Sequence, residues 1–469
     1  MIRHLLRHAG FLSTMLTVTA LSASSVMDEV QLGRALYDGN VLFSQAPQVT
    51  GVPLPLSNAH CSACHGPHGA GQTEGGIAAP PVQWHALMDT RSGLPGYDSS
   101  ERVLSAIEKG KARIYYKSLT EGMPRFELTS AERKALIAYL RVIGTEAAPV
   151  RGVTTDTIIL GTALPLTGMQ ATAGNSILRA MQQQIAEINA VGGIFGRSLL
   201  LIPVDAATNG LDAAILDLIH SHNVFALVGS WLTDPSNALI DALTASNTPS
   251  VAAVGMTIPN QQHRLTTYLL PSLQQQIESA LSILQKKCNS NLDSEIWYQD
   301  EKNLPAITAI SKFYGDDSVA GKLALRAIHV LQVDQQLKET IDSRLADKLI
   351  LLLPSDDIER IRFQLEASQL CVATLASISG SSYHADHAAQ VVISPVPQDM
   401  LLAMDLWTAL GNAAIGLIAE AMARAGRILD QDRLITVLDN PQEFEPIPGL
   451  SIRFTPKARH ALTEGFTWH

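Results

Sequence analysis

Cysteine is scarce in this chain. Four residues in 469 are too few for the disulfide framework that holds small secreted scaffolds together. Positive charge is not concentrated either: 34 Lys and Arg stand against 44 Asp and Glu, for a formal net charge of -10. No Lys/Arg-rich block occurs, which excludes nucleic acid as a partner class. The sequence has no glycine-rich phosphate loop, no internal repeat and no nucleophile set beside a base, so nothing in it points to an enzyme. What it does have is length, enough for two or three domains with ample buried cores.

The apolar run near the start, Ala9 to Leu21, is too short to span a bilayer. It follows Arg3 and Arg7, ends in the small residues Ser22-Ala23-Ser24 and precedes the first acid, Asp28. Residues 1–24 therefore read as a secretory signal peptide, which sends the mature chain to the periplasm as a protein that is not integral to the membrane. An uncleaved anchor is the alternative. No cysteine stands at the cleavage region, so no lipid is attached there.

Two of the four cysteines lie in Cys61-Ser62-Ala63-Cys64-His65. A C-x-x-C-H run can form thioethers to the two vinyl groups of one porphyrin and bind its iron through the histidine, which makes it a c-type haem site. A structural cysteine pair, or a redox dithiol beside an incidental histidine, is the competing reading. The continuation Gly66-Pro67-His68-Gly69-Ala70-Gly71 and the Met123-Pro124 pair downstream weigh for one covalently bound haem c.

Asp28 to Phe43 reads as a helix with Val30, Leu32, Leu36 and Tyr37 as apolar positions, and Gly33 leaves room for another helix to approach. A second helix is capped by Thr129 with Glu132, repeats Leu136, Leu140 and Ile143 at helical spacing, and closes at Gly144. No strand pattern separates them, so 27–147 reads as a small all-helical domain whose first and last helices cross. It resembles the class I c-type cytochromes, through Gly33 to Tyr37, C-S-A-C-H, Met123-Pro124-Arg125-Phe126 and Ala138-Tyr139-Leu140. The resemblance implies that Cys61 and Cys64 attach the haem, that His65 is the proximal iron ligand and that Met123 is the distal one. It further implies that the carbonyl of Pro80 or Pro81 holds the imidazole of His65.

His60, His68, His85 and Met88 are the other candidates for the sixth ligand. His60 and His68 stand too close to His65 in sequence to reach the opposite ring face, whereas His85 and Met88 could reach it. For Met88, core packing is the plainer reading. Pro124 stiffens the loop that presents Met123, and the capped helix fixes where that loop leaves. Thioether sulfur favours reduced iron, and a closed His/Met site suits electron transfer rather than oxygen chemistry. Residues 27–147 carry a net charge of about -1 (11 Lys/Arg against 12 Asp/Glu), too little for strong electrostatic steering of a partner.

Residues 148–154, with Pro149 and Gly152, read as a linker. From 155 to 469 short apolar strands alternate with helices: Ile158–Leu160, Ile177–Asn189, Leu199–Val204, Ala213–His222, Phe225–Val228, Pro235–Ala245 and Val251–Val254. That is the pattern of a parallel sheet covered on both faces. The stretches Ile159 to Gly168 with Gly174, Glu187 to Arg197, and Asp205 resemble the type I periplasmic solute-binding proteins of the branched-chain amino acid class, the soluble receptors of ABC importers. The expected fold is therefore multidomain: an all-α c-type cytochrome followed by an α/β two-lobed periplasmic-binding-protein fold of type I. The second lobe begins at about 275, and its strands are expected at Glu295–Gln299, Ala327–Val333, Leu349–Leu353 and Val372–Ser377. Gly449 to Phe454 again resembles the family.

In such a fold the ligand sits at the carboxyl ends of the strands, between the lobes. The resemblance implies contacts to a small-molecule solute from Thr167, Gly168, Ser230 and Thr233. Capping of the helix that begins near Asp234-Pro235 is the alternative reading of Ser230 and Thr233. The family's second-lobe tyrosine and acid have no clean counterpart, Asp300, Glu301 and Tyr383 being weak candidates. Cys288 and Cys371 fall at the same end of the second sheet, as a disulfide or as two buried thiols. His384 and His387 read as solvated loop residues.

The whole reads as a periplasmic electron carrier fused to a solute-binding module. Solute-binding proteins of this kind accompany pyrroloquinoline-quinone (PQQ) alcohol dehydrogenases, so the resemblance implies a quinoprotein dehydrogenase or a terminal oxidase chain as redox partner. The alternative is a solute receptor or sensor in which the haem reports redox state.

Overall fold

The computed structural model describes residues 29–462, except 75–76, 91–92, 115–116, 120–121, 234, 257–262, 289–293, 299–322, 328–334, 336, 340–347, 369, 380–389, 398–399 and 401–402. The signal segment, Asp300, Glu301, Tyr383, His384 and His387 lie outside the described residues. The chain divides into two compact units, one ending at Val150 and the other beginning at Arg151.

In the first unit, α1 runs through 29–38, followed by short antiparallel strands β1 (Gln48–Val49) and β2 (Val52–Pro53). Next come α2 (Cys61–His65), the pair β3 (Gln72–Glu74) and β4 (Ile77–Ala79), α3 (Trp84–Met88), α4 (Ser100–Lys109) and α5 (Ser130–Leu140). The two ladders were not expected from a sequence without alternation, and they are only two or three residues per strand. The first helix also stops short of Phe43, because Gly39 takes φ 81 and turns the chain. Phe43 is still buried, against Phe126 at a ring-centroid distance of 4.8 Å.

Helices α1 and α5 cross at Gly33. A Cβ there would lie 2.0 Å from the carbonyl oxygen of Ala135 and 2.7 Å from Cβ of Tyr139, so only glycine permits the approach. The crossing brings Tyr37 edge-on to Tyr139 at 5.4 Å. The capping box forms as expected, with Thr129 accepting from the Glu132 amide and Glu132 from the Thr129 amide. Glu132 is buried, and its second oxygen accepts the Ser44 amide at 2.7 Å, which ties α5 to the segment leaving α1. Burial alone would raise its pKa, but the amides of Ser44 and Thr129 and their hydroxyls outweigh that and hold the carboxyl below its ordinary value.

The second unit contains two sheets. The first takes strands from both ends of the unit: β5 (Thr157–Leu164), β6 (Ser198–Asp205), β7 (Ala226–Val228), β8 (Ser250–Ala253) and β9 (Thr266–Tyr268) are parallel, in the order β9-β8-β7-β5-β6. Helices α6 (Ala171–Ala190), α7 (Ala206–Asn209), α8 (Leu211–His220) and α9 (Asn237–Ala245) connect them. After β9 the chain enters α10 (Leu273–Cys288) and the second sheet. Its strands are β10 (Ser294–Tyr298), β11 (Leu323–Ala327), β12 (Lys348–Leu352), β13 (Cys371–Leu375) and β14 (Gln390–Ile393), all parallel, in the order β11-β10-β12-β13-β14. Helix α11 (Ser355–Ala367) joins β12 to β13, and the short α12 (Ala376–Ser379) follows β13. Through α13 (Leu406–Ala425) and α14 (Gln431–Asp439) the chain returns to the first sheet as β15 (Glu443–Ile447), β16 (Leu450–Thr455) and β17 (Ala458–Leu462). Two sheets with a chain that leaves and returns are two lobes.

The strand expected at Ala327–Val333 meets β11 only at Ala327, and its remainder lies outside the described residues. The expected end of the last second-lobe strand is α12 instead. Cys288 closes α10, Cys371 opens β13, and the two form a disulfide. Helix α13 is the one described helix long and apolar enough to cross a membrane. It is core: Ala409, Ala413, Ile415, Leu417, Ile418 and Ala421 are fully buried, and Gly411 and Gly416 press against the carbonyls of Ile177 and Pro446.

β6 is an edge strand, a position that invites unwanted pairing. The Ser198 amide bonds inward to Asp156, so Leu199, Leu201 and Pro203 turn their backbone groups outward. The Asn189 side chain takes both groups of Leu199, and Pro203 has no N–H to offer.

Candidate functional site

The first candidate site is the short helix α2. In a helix, positions i, i+3 and i+4 share a face, so Cys61, Cys64 and His65 are presented together. Both cysteines are free thiols. Cys64 is exposed and Cys61 half-buried. Burial, with smaller contributions from Asp38 and Cys64, pushes the Cys61 thiol up to about 12. A redox dithiol works through a stabilised thiolate, and this environment does the opposite.

Three glycines place the histidine. Gly66, Gly69 and Gly71 all have positive φ, and a Cβ on Gly71 would stand 2.6 Å from the carbonyl oxygen of Ala79 and 2.8 Å from the carbonyl carbon of Pro80. That close passage carries Pro80 over α2, where its carbonyl oxygen lies 2.7 Å from Nδ1 of His65. A carbonyl can only accept, so Nδ1 carries the proton and Nε2 keeps its lone pair for a metal. Of the two prolines considered, Pro80 fills this place. His65 is buried, and burial lowers its pKa against the opposing pull of the Pro80 bond, which keeps the ring neutral. Tyr37 donates to the Gly66 carbonyl at 2.7 Å and fixes the end of the motif from α1. A pair of thiols, a neutral imidazole with a free Nε2 and an outer-shell carbonyl fit a covalently bound haem c.

Met123 is half-buried in a loop fastened on both sides. Leu119 bonds to Gly110, Arg125 pairs its backbone with Gln48, and the Phe126 amide reaches Ile107. The Arg125 guanidinium reaches the carbonyls of Met123 at 2.5 Å and Leu119 at 3.3 Å while lying against Gly110. Of the other sixth-ligand candidates, Met88 packs against the cluster of Leu87, Val103 and Leu104, and His85 points to solvent from α3. His60 engages Ser62, and the His68 carbonyl accepts from Gln83.

The solute candidates are less uniform. Thr167 and Gly168 are exposed in the loop after β5. Thr167 donates its hydroxyl to Asp205 at 2.7 Å, as does Thr208, and the amides of Leu166 and Ala207 bind the same carboxylate. Those bonds, the Thr167 and Thr208 hydroxyls first, hold the Asp205 carboxyl far below the usual range. Ser230 is fully buried, and its oxygen accepts the Ala163 amide at 3.1 Å. Neither Ser230 nor Thr233 caps the next helix: α9 starts later than expected, at Asn237, and Ser236 caps it by accepting the Leu239 amide. Thr233 is exposed.

Sequence reasoning did not single out Trp231 and Trp407. Trp231 follows β7 beside Ala163, Trp407 stands in the first turn of α13, and their rings meet at 5.4 Å.

Residues 55–143 match the cytochrome c family and residues 157–290 the periplasmic binding protein family. The chain therefore carries a cytochrome c domain followed by an α/β periplasmic-binding-protein fold. The first family implies a covalently bound haem c, the second a small-molecule ligand, and both an exported protein. A fatty acid ABC transporter substrate-binding protein from Thermomonospora curvata is similar in structure, with TM-score 0.56 and 17% identity over 68% of this chain and 89% of its own. So is an ABC transporter solute-binding protein from Rhodopseudomonas palustris BisB5 in complex with 3,4-dihydroxybenzoic acid (0.54, 17%, 66% and 92%). A substrate-binding periplasmic protein from Ralstonia solanacearum is a third (0.51, 17%, 66% and 96%). At these identities the likeness is one of fold. No curated protein matches the sequence.

Proposed function

We propose that this chain is a periplasmic electron carrier with one haem c, joined to a module that binds a small organic solute. In this reading Cys61 and Cys64 would hold the haem, and His65 and Met123 would bind its iron. When bound, the group supplies one-electron chemistry at a high potential. The observation that carries the reading is the bond between His65 and Pro80, which leaves Nε2 as the one ring nitrogen able to take a metal. The residues around it have positional tasks. Tyr37 and the three glycines fix α2, Pro80 sets the tautomer of His65, and Arg125 holds the loop of Met123. With His65 and Met123 both bound to the iron, the group would offer substrate no open position, which favours a carrier over an enzyme.

The second module keeps two lobes and the return crossing that lets them hinge, and relatives of its fold are receptors of ABC importers. The redox partner proposed for the first domain is a quinoprotein alcohol dehydrogenase, and residues 1–24 are the export signal. Stopped-flow mixing of the oxidised full-length protein with such a reduced dehydrogenase tests the carrier role. The expected result is haem reduction whose rate rises with dehydrogenase concentration and not with solute. Reduction that requires a solute would instead support the sensor reading.

A further inference from the structure

Given that the second module binds a solute, the side chains at the carboxyl edge of its first sheet indicate which kind. Two of the hydroxyls that would serve a polar ligand are already engaged within the lobe. Thr167 spends its single proton on Asp205, and Ser230 is fully buried with its oxygen on the Ala163 amide. Asp205 is held ionised by four donors from its own lobe. What this edge offers instead is aromatic. Trp231 leaves β7 with its amide on Ala163, near the end of β5, and bridges in parallel to Val254 just past β8. Trp407 reaches the same place from α13, whose first turn is fixed by Asp405 accepting the amides of Trp407 and Thr408. The two rings are tilted by 40° with centroids 5.4 Å apart, and both are half-buried. Among the described residues neither indole N–H has a hydrogen-bond partner.

We infer that the solute is a small planar aromatic compound bearing an oxygen acceptor, its ring held against Trp231 and Trp407 and its oxygen by their indole N–H groups. Aromatic pairs gain most from offset or edge-on contact, and a desolvated N–H seeks an acceptor. A branched aliphatic amino acid would satisfy neither.

The inference rests on the solute-binding reading, and the test separates the two. Calorimetry on the full-length protein uses three probes: 4-hydroxybenzoate, cyclohexanecarboxylate, which keeps the carboxylate without a planar ring, and leucine. The expected result is binding of 4-hydroxybenzoate, with cyclohexanecarboxylate and leucine weaker by about tenfold or more. Trp231→Ala and Trp407→Ala should each weaken 4-hydroxybenzoate by a similar factor. Trp407→Phe, which keeps a ring but not the N–H, should fall between, and guards against a variant that merely misfolds. Equal or tighter binding of leucine or cyclohexanecarboxylate, or 4-hydroxybenzoate binding that survives both alanine substitutions, overturns the aromatic assignment and leaves solute binding standing. No heat with any probe overturns both.

Discussion

Replacing Cys288 and Cys371 together by alanine should cost the second unit several kilocalories of stability and leave the haem domain untouched. The bond joins residues 83 apart in sequence. If a cross-link acts by restricting the unfolded chain, closing a loop of that length is worth about 4.5 kcal/mol at 25 °C, and measured disulfides commonly give about 2–4 kcal/mol. The two sulfurs also pack against the second-lobe core of Ile296, Ile350 and Ala373, so truncation adds a small loss of contact. Substitution is cleaner than chemical reduction, which would also change the redox state of the haem. Urea unfolding followed by fluorescence, where Trp297 is fully buried in the second lobe, reads the loss there. The haem band reads the first domain in the same samples. A loss below about 1 kcal/mol, or a haem transition that moves with it, would contradict a loop-closure contribution confined to the second unit.

Two further outcomes concern the first domain. Gly33→Val drives a branched side chain into the Ala135 carbonyl, 2.0 Å from where its Cβ would sit, and should cost about 3 kcal/mol in the haem-band unfolding midpoint. Glu132 has a folded pKa below its ordinary 4.5. Its contribution is therefore present above that value and is lost as the pH falls through the folded one. Glu132→Gln should lower stability by about 1–2 kcal/mol at pH 7 and flatten the acid limb of the stability profile below about pH 4.5, as followed by denaturant midpoints.

Much of this was legible because local chemistry settled it. The capping box at Thr129 and the glycine at the helix crossing each require particular residues at fixed spacing, and each folds as that chemistry demands; the C-x-x-C-H run forms one short helix, Cys61–His65. In the first sheet the parallel strands announced themselves as apolar runs, with ends off by four residues or fewer. What was not legible depends on distant parts of the chain meeting. Nothing near Pro80 or Pro81 says which carbonyl reaches His65; the passage over Gly71 decides it. Ser230 and Thr233 stood where a helix cap would stand, but the chain continues past them to Ser236, and the Ser230 oxygen accepts from the Ala163 amide of β5 instead. Trp231 and Trp407 are 176 positions apart in sequence (407 minus 231) and become a pair only because α13 returns from the second lobe. The asparagine that blunts β6 is invisible until β6 is known to be an edge.

The proposed carrier role would require His65 and Met123 both to bind the iron of one haem. Reduced and oxidised optical spectra of the exported full-length protein and of Met123→Ala test it directly. The oxidised wild type should show the weak long-wavelength band of a sulfur–iron bond and should not bind carbon monoxide when reduced. The variant should lose the band and gain carbon monoxide binding. A wild type without the band, or a variant that keeps it, would contradict the assignment.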